Sequence, residues 1–565
     1  MTDDTGGTVT KSYDRRTFLS NSAKTAAGAV VLGGSASGLL AACGSSSPSG
    51  SGTPKGTGGT VTGRNSATPK LGGTLKLGLE ADFNSFDPTK GQFDTSGIMY
   101  ARTVYDALAQ IDSNGAVKPY LAKSITPNAD FTQWTIVMRP NVNFHDGTPC
   151  TGAAIKTSLD ALKKSALTGP ALAPLDHTTL SDAMTVVVSM NQPWVPFPYY
   201  LTGQLGFVPS PKTLSDNNGG LHPIGTGPFK FSEWVPQDHF YADKNPTYWR
   251  SGEPYLNRLE YHTITDPTSR EASLRAGTID IMHTSDPLNI KNFRGSSAFA
   301  AIDDSKNNLG EPDMDFIMLN TAVAPMDDLR VRQALAYATD KATINRVINY
   351  NIVESSNGPF TSGSKYSGDT GYPQYDVNKA KQLISAYQAS KGPVSFELGT
   401  TNTARNLQTI QLIQTMWAQA GIKTTLKQVE QVQFITNALL GKYQAYTWRQ
   451  FASPDPDANY VWWSIPTAGP VGGFALNFAR NKDPQIQTAL ESGRTKSDPA
   501  TREAAYKAIA QRFGADCPYL WTNRTLWGVE AAPKVQNFNG LSLPDGGQAL
   551  TMTGGVFQTS QTWLS

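Results

Sequence analysis

Trp134-Thr135-Ile136-Val137-Met138-Arg139, followed closely by Val142-Asn143-Phe144-His145-Asp146-Gly147-Thr148-Pro149, is the stretch on which the reading of the fold turns. Its first block alternates like a half-buried strand, with Trp134, Ile136 and Met138 on one face. In the second, His145-Asp146-Gly147 reads as a turn, because glycine takes positive φ without a steric cost. Outward from there, Thr74–Leu79 alternates in the same way. Asp315–Leu319 is a continuous apolar run, better suited to a strand covered on both faces. Helices are punctuated clearly. Asp498-Pro499 predicts an N-cap and an N1 proline, Ala504, Ala505, Ile509 and Phe513 follow at helical spacing, and Gly514 is expected at C′. A second helix is predicted from Asp328, with Val331, Leu335 and Ala338 on one side, and a third over Asn406–Ala420, closed by Gly421. From Leu71 onward the chain is therefore mixed α and β, with no internal repeat.

The 565 residues suffice for three or four core-sized units, and 39 % hydrophobic content makes a large core feasible. A net charge of +2 carries no basic excess, which argues against nucleic acid as a partner. No apolar run reaches the roughly 18 residues that a membrane span needs. Ahead of the globular body stand Arg15 and Arg16, an apolar pair, a weakly apolar stretch over Ala26–Leu40, and then Leu40-Ala41-Ala42-Cys43-Gly44. This reads as a twin-arginine export signal (1–42) whose end looks like a lipobox, so Cys43 is the expected lipidation site and membrane anchor. Residues 43–70 are Ser, Gly, Thr and Pro with little to bury, and read as a disordered tether. With Cys43 lipidated, Cys150 and Cys517 remain as the one possible disulfide at an oxidising surface, although nothing in the sequence brings them together.

Several segments in fixed order resemble the family 5 extracellular solute-binding proteins. These are Tyr105–Leu108, Asp112–Gly115 with Pro119–Ala122, Trp134–Arg139 with Val142–Pro149, Ile224–Phe229, Asn245–Trp249, Arg275–Asp280, Asp328–Asp340, Asp455–Asp457 and Asp498–Tyr519. The resemblance implies an α/β, two-lobe, periplasmic-binding-protein-like fold (type II, cluster C-like) with a hinge cleft and an inserted subdomain. By that analogy lobe I comprises 71–107, 223–315 and 518–565, the subdomain 108–222, and lobe II 316–517. It also implies capture of a peptide or other small solute by hinge closure, delivery to the permease and ATPase subunits of an ABC importer, a monomeric state, and no cofactor or bound metal. Gly225-Thr226-Gly227-Pro228 is not a phosphate loop, since Lys230 stands where a third glycine belongs, and it reads as a tight crossover between domains.

In peptide-binding members of that family an acidic residue three positions before the Asp-Pro-Asp block holds the ligand α-amine. Here Ala452 stands there, although Asp455 and Asp457 are present. The arginine that dipeptide binders use for the carboxylate falls near Thr400, with no basic residue over 393–404. Loss of both clamps points away from strict dipeptides and toward oligopeptides or a non-peptide ligand such as a sugar or metal chelate. The segment offers other chemistry: Tyr446, Trp448, Arg449, Phe451, Tyr460, Trp462 and Trp463. Aromatics suit stacking, and Arg449 an anionic group, although Tyr446 and Trp448 share one strand face and equally suit the core. Phe83 and Asn84, after the first strand, are the candidates from the other lobe. An enzyme is disfavoured: the globular body has no GxSxG, the chain has no HExxH, and Ser215–Asn217 and Ser362–Lys365 are penicillin-recognising fragments in the wrong order. The six histidines lack ligand spacing. A surface sensor or chaperone-like lipoprotein remains a further alternative.

Overall fold

A computed structural model describes residues 68–305, 313–450, 453, 455–538 and 540–565. The segments expected to be an export signal and a tether fall almost wholly outside the described residues, as do Cys43, Phe451 and Ala452. Among the described residues no helix is long and apolar enough to cross a membrane.

Three main sheets carry the chain. The first has seven strands, in the order Ala300–Asp303, Gly528–Ala531, Ile281–Thr284, Thr74–Leu79, Arg258–Thr263, His239–Lys244 and Phe229–Val235. Thr74–Leu79 runs parallel to both of its neighbours, and Leu75, Leu77 and Leu79 are fully buried, as the alternation predicts. The second sheet has four antiparallel strands, in the order Ala122–Pro127, Gln133–Met138, Thr185–Met190 and Leu175–Asp182. Trp134, Ile136 and Met138 point from it into a core shared with Ile155, Leu159 and Leu162 of the helix Gly152–Lys164. The third has five strands, in the order Lys423–Val429, Ser395–Thr401, Ala445–Gln450, Met314–Leu319 and Tyr519–Arg524. Met314–Leu319 is flanked antiparallel on both sides, which is why its apolar run is almost continuous. These sheets build two lobes, the one of the third sheet and the one of the first, with the four-stranded body inserted in the latter's sequence.

The turn at 144–148 closes as expected. Phe144 N donates to Thr148 O, the Asp146 carboxylate accepts from Thr148 N, and Gly147 takes φ +86°. It docks on the glycine crossover, because His145 N donates to Gly225 O at 2.8 Å and Lys230 Nζ to His145 O at 2.9 Å. Gly225 and Gly227 lie against the helix end at Val104, where an added Cβ would come within 2.1 and 2.5 Å of backbone. Blocks scattered along the sequence meet at one carboxylate. Buried Asp106 accepts from Thr226 Oγ1 (3.1 Å), Tyr248 OH (2.9 Å) and Trp249 Nε1 (2.8 Å). Burial pushes its pKa up to about 6 despite these donors.

Three expectations are corrected. The strand Tyr519–Arg524 pairs with Met314–Leu319, so it belongs to the second lobe and the chain returns to the first sheet only between Arg524 and Gly528. Met314 and Asp315 likewise belong to the five-stranded sheet. Gly514 is not a C′ residue: the helix Pro499–Asp516 runs past it, and Cys517 takes the left-handed position at φ 49°. Glycine is required at 514 because a Cβ would lie 2.0 Å from Thr370 O. The other helix signals hold, with the third helix over Ala404–Gln419 opening two residues ahead of the expected start at Asn406. Asp498 caps Thr501 N, Asp328 caps Arg330 N, and Gly421 at φ +80° follows the helix Ala404–Gln419. Cys150 and Cys517 are free thiols buried in two different cores, so no bridge joins them.

Candidate functional site

Between the lobes lies a cleft of about 2160 Å³. The first lobe contributes the loop after its first strand (Glu80–Asn84), the start of the helix Thr95–Val104, and Ser285. The second contributes Thr447, Trp448 and Arg449 at the end of one strand, the start of the helix Ala404–Gln419, and Trp462. These are the ends of strands and the starts of helices, where open α/β architectures place ligands.

One wall is aromatic. Phe434 stacks on Tyr446 at 4.2 Å and on Trp448 at 5.3 Å. The shared face of Tyr446 and Trp448 therefore serves both roles: Tyr446 is fully buried, while half-buried Trp448 reaches the cleft. Phe478 meets Trp448 and Trp462 at 5.1 and 5.2 Å and lines the same wall. Tyr460 and Trp463 are buried, and neither lines the cleft.

At the cleft floor Arg449 spans the lobes. Its Nε lies 3.2 Å from Asp315 Oδ1, its Nη2 donates to Ser285 Oγ at 3.2 Å, and its Nη1 is 3.7 Å from Glu80. Arg270, itself buried, stands 3.6 Å from the same glutamate. Burial works to raise the Glu80 pKa, but the two guanidinium groups outweigh it and hold the carboxyl below its ordinary range. The charge of Arg449 is thus already matched by protein carboxylates, so it is a bridge across the hinge, not a free partner for an anionic ligand. Opposite, Asp94 caps its helix by accepting from Gly97 N at 2.8 Å, and burial pushes its pKa up to about 6.

The remaining sequence candidates divide. Phe83 lines the cleft from a ring cluster with Phe86, Tyr100 and Trp234, and exposed Asn84 lines it while accepting from Gln92 N. Thr400 is fully buried and its hydroxyl pairs with Thr447 Oγ1 at 2.7 Å, so it does not reach the cleft. Asp455 and Asp457 do not line it either. Asp455 is held by Arg502 Nη2 at 2.7 Å, and Asp457 by Arg494 Nε at 2.9 Å. Asp457 also accepts from Trp194 Nε1 (2.8 Å) and Tyr200 OH (3.0 Å) of the inserted subdomain. Both aspartates are structural, the second tying that subdomain to the second lobe. Sequence reasoning missed Glu80, Arg270, Ser285, Asp315, Phe434 and Phe478. Glu80 directly follows the first strand and was within reach of the strand-end rule, whereas Phe434 and Phe478 carry no local signal.

The model for bacterial extracellular solute-binding proteins, family 5, middle, matches residues 116–470. The glutathione-binding protein GsiB of Pectobacterium atrosepticum is 25 % identical over 466 residues, which cover 79 % of this chain and 87 % of that protein. Among solved structures, the periplasmic binding protein DppA of Helicobacter pylori, in complex with the peptide STSA, superposes with a TM-score of 0.76 at 23 % identity, covering 88 % of this chain and 98 % of that one. The oligopeptide-binding protein AppA of Bacillus subtilis, holding a nonapeptide, gives 0.76 at 20 % identity, with 88 % and 100 % covered. At these identities the two structures establish the shared two-lobe fold.

Proposed function

The chain belongs to the family 5 bacterial extracellular solute-binding proteins, and from that premise we propose that it captures oligopeptides in the cleft and delivers them to the permease of an ABC importer. The observation that carries the peptide reading is the size of the cleft. At about 2160 Å³ it is roughly twice the upper end of ordinary small-molecule pockets, near 1,000 Å³. Strict dipeptide binding is disfavoured by what stands at the two clamp positions, since Ala452 offers no carboxylate and Thr400 is buried against Thr447. The aromatic wall of Trp448, Trp462 and Phe478 suits apolar peptide side chains, and the Arg449 bridge suits a hinge that closes on ligand.

Export by the twin-arginine route and anchoring through lipidated Cys43, with the protein acting as a monomer at the outer face of the cell membrane, complete the proposal. They rest on Arg15, Arg16 and the Leu40–Gly44 motif. Cys43→Ala should release the protein from the membrane fraction, and a variant that stays membrane-bound contradicts the anchor. Peptide capture is tested by thermal melts of the full chain against peptide pools of two to eight residues. Stabilisation by pools of three residues and longer, exceeding that by dipeptides, is expected. A response to dipeptides alone, or to none of the pools, overturns the reading.

A further inference from the structure

We infer that Arg102 holds a carboxylate of the bound solute, supplying from the first lobe the anion anchor that the Thr400 position lacks. The inference rests on the peptide reading above. In the helix Thr95–Val104, residues Thr95, Ile98 and Arg102 recur at three- and four-residue spacing and line the cleft, while Met99, Tyr100, Thr103 and Val104 face the core. Arg102 is thereby fixed at the cleft by its backbone, one turn beyond Ile98. Its Nη2 donates to Thr202 O of the inserted subdomain at 2.6 Å. Its Nε and Nη1 are buried and meet no acceptor among the described residues; the carboxylate whose charge acts on it, Asp106, makes no ion pair with it and accepts instead from Thr226, Tyr248 and Trp249.

The other cleft arginines sharpen the contrast. Arg270 and Arg449 are matched by Glu80 and Asp315. Arg405 donates to Asn349 Oδ1 at 2.8 Å and keeps one buried nitrogen without an acceptor. Arg102 is therefore the cleft arginine with two buried donors uncommitted. Buried guanidinium groups are normally paired, and one left unpaired in a ligand cleft has an account if the ligand brings the acceptor. Burial pushes its pKa down to about 10, so it still carries its charge at neutral pH. Nε and Nη1 are both shielded from solvent in this state, so a peptide carboxylate receives their charge-assisted hydrogen bonds as the side chain shifts toward the cleft from its hold on Thr202 O.

The test compares two peptide pools on the purified full chain: random pentapeptides with a free C-terminal carboxylate, and the same pool as C-terminal amides. The wild-type protein should bind the free-acid pool about 10- to 100-fold more tightly. That preference should vanish in Arg102→Met and persist in part in Arg102→Lys, and Arg405→Met tests the rival cleft arginine. Circular dichroism and thermal melts of each variant identify any that fails to fold, in which case the wild-type and Arg102→Lys pools decide. Equal affinity of the two pools for the wild type, or a preference that survives in Arg102→Met or disappears only in Arg405→Met, overturns the role of Arg102 and leaves peptide binding standing. Binding of neither pool overturns the peptide reading and the inference with it.

Discussion

Replacing Asp457 by alanine separates a structural carboxylate from a ligand-binding one. Asp457 is 0 % exposed and Arg494 1 % exposed. The aspartate receives Arg494 Nε at 2.9 Å, Arg494 Nη2 at 3.1 Å, Trp194 Nε1 at 2.8 Å and Tyr200 OH at 3.0 Å. Truncation leaves a buried guanidinium without its anion, at a cost of about 3–5 kcal/mol. The indole N–H and the tyrosine hydroxyl lose an acceptor in the same step, so the upper half of that range applies. For a cooperative body of roughly 500 residues the unfolding entropy is about 1 kcal/mol/K, so each kcal/mol lowers Tm by about 1 °C and the fall is roughly 4–5 °C. Asp457→Asn keeps an acceptor for Trp194 and should lie between alanine and wild type. The assay is a calorimetric melt beside peptide titration at a temperature where both proteins are folded. If Asp457→Ala melts within about 1 °C of wild type and instead loses affinity, the placement of this carboxylate in the lobe–subdomain contact is wrong.

Trp448→Ala should leave the far-ultraviolet spectrum native and weaken peptide affinity about 10- to 30-fold, and unchanged affinity in a titration would remove the aromatic wall from the site. His283 is fully buried against the Trp527 ring at 4.7 Å, and burial above all pulls its pKa down to about 4 from the ordinary 6.5. Because the unfolded chain binds the proton first, this histidine's contribution is fully present above pH 6.5 and is lost as pH falls toward 4. Its ring resonances should show a neutral imidazole at pH 5.5, and a cationic ring at that pH would contradict the burial. Gly514→Ala reverses a propensity rule: alanine in a helix interior normally stabilises by about 1 kcal/mol, whereas contact with Thr370 O predicts a lower Tm here, and a raised Tm would show that the backbone there is not packed as described.

Local chemistry was legible where one residue type has one cheap solution. Asp498-Pro499 opens its helix, His145-Asp146-Gly147 makes its turn, and the apolar run over Met314–Leu319 takes a covered position in a sheet. The order of the blocks was also informative, because Thr226 and the pair Tyr248-Trp249 lie far along the chain from Asp106 yet all donate to its carboxylate. Legibility failed where the deciding partner is remote. Asp455 and Asp457 sit beside a candidate binding segment, but Arg502 and Arg494 on following helices claim them. Gly514 was expected at a helix end, and only the approach of Thr370 explains a glycine inside the helix. The strand Tyr519–Arg524 departs from the lobe that the resemblance implies, because its pairing with Met314–Leu319 joins segments far apart in sequence and leaves no periodic mark. Arg102 lies in an unremarkable helical pattern, and its missing acceptor exists only in three dimensions.

The most direct measurement of the central claim is native mass spectrometry of the full chain purified gently from its own host. The account predicts added mass that is lost on denaturation and fragments as peptides of three or more residues. Added mass that proves to be a sugar, a metal chelate or another non-peptide molecule would contradict it, keeping the solute-binding family and overturning the ligand class.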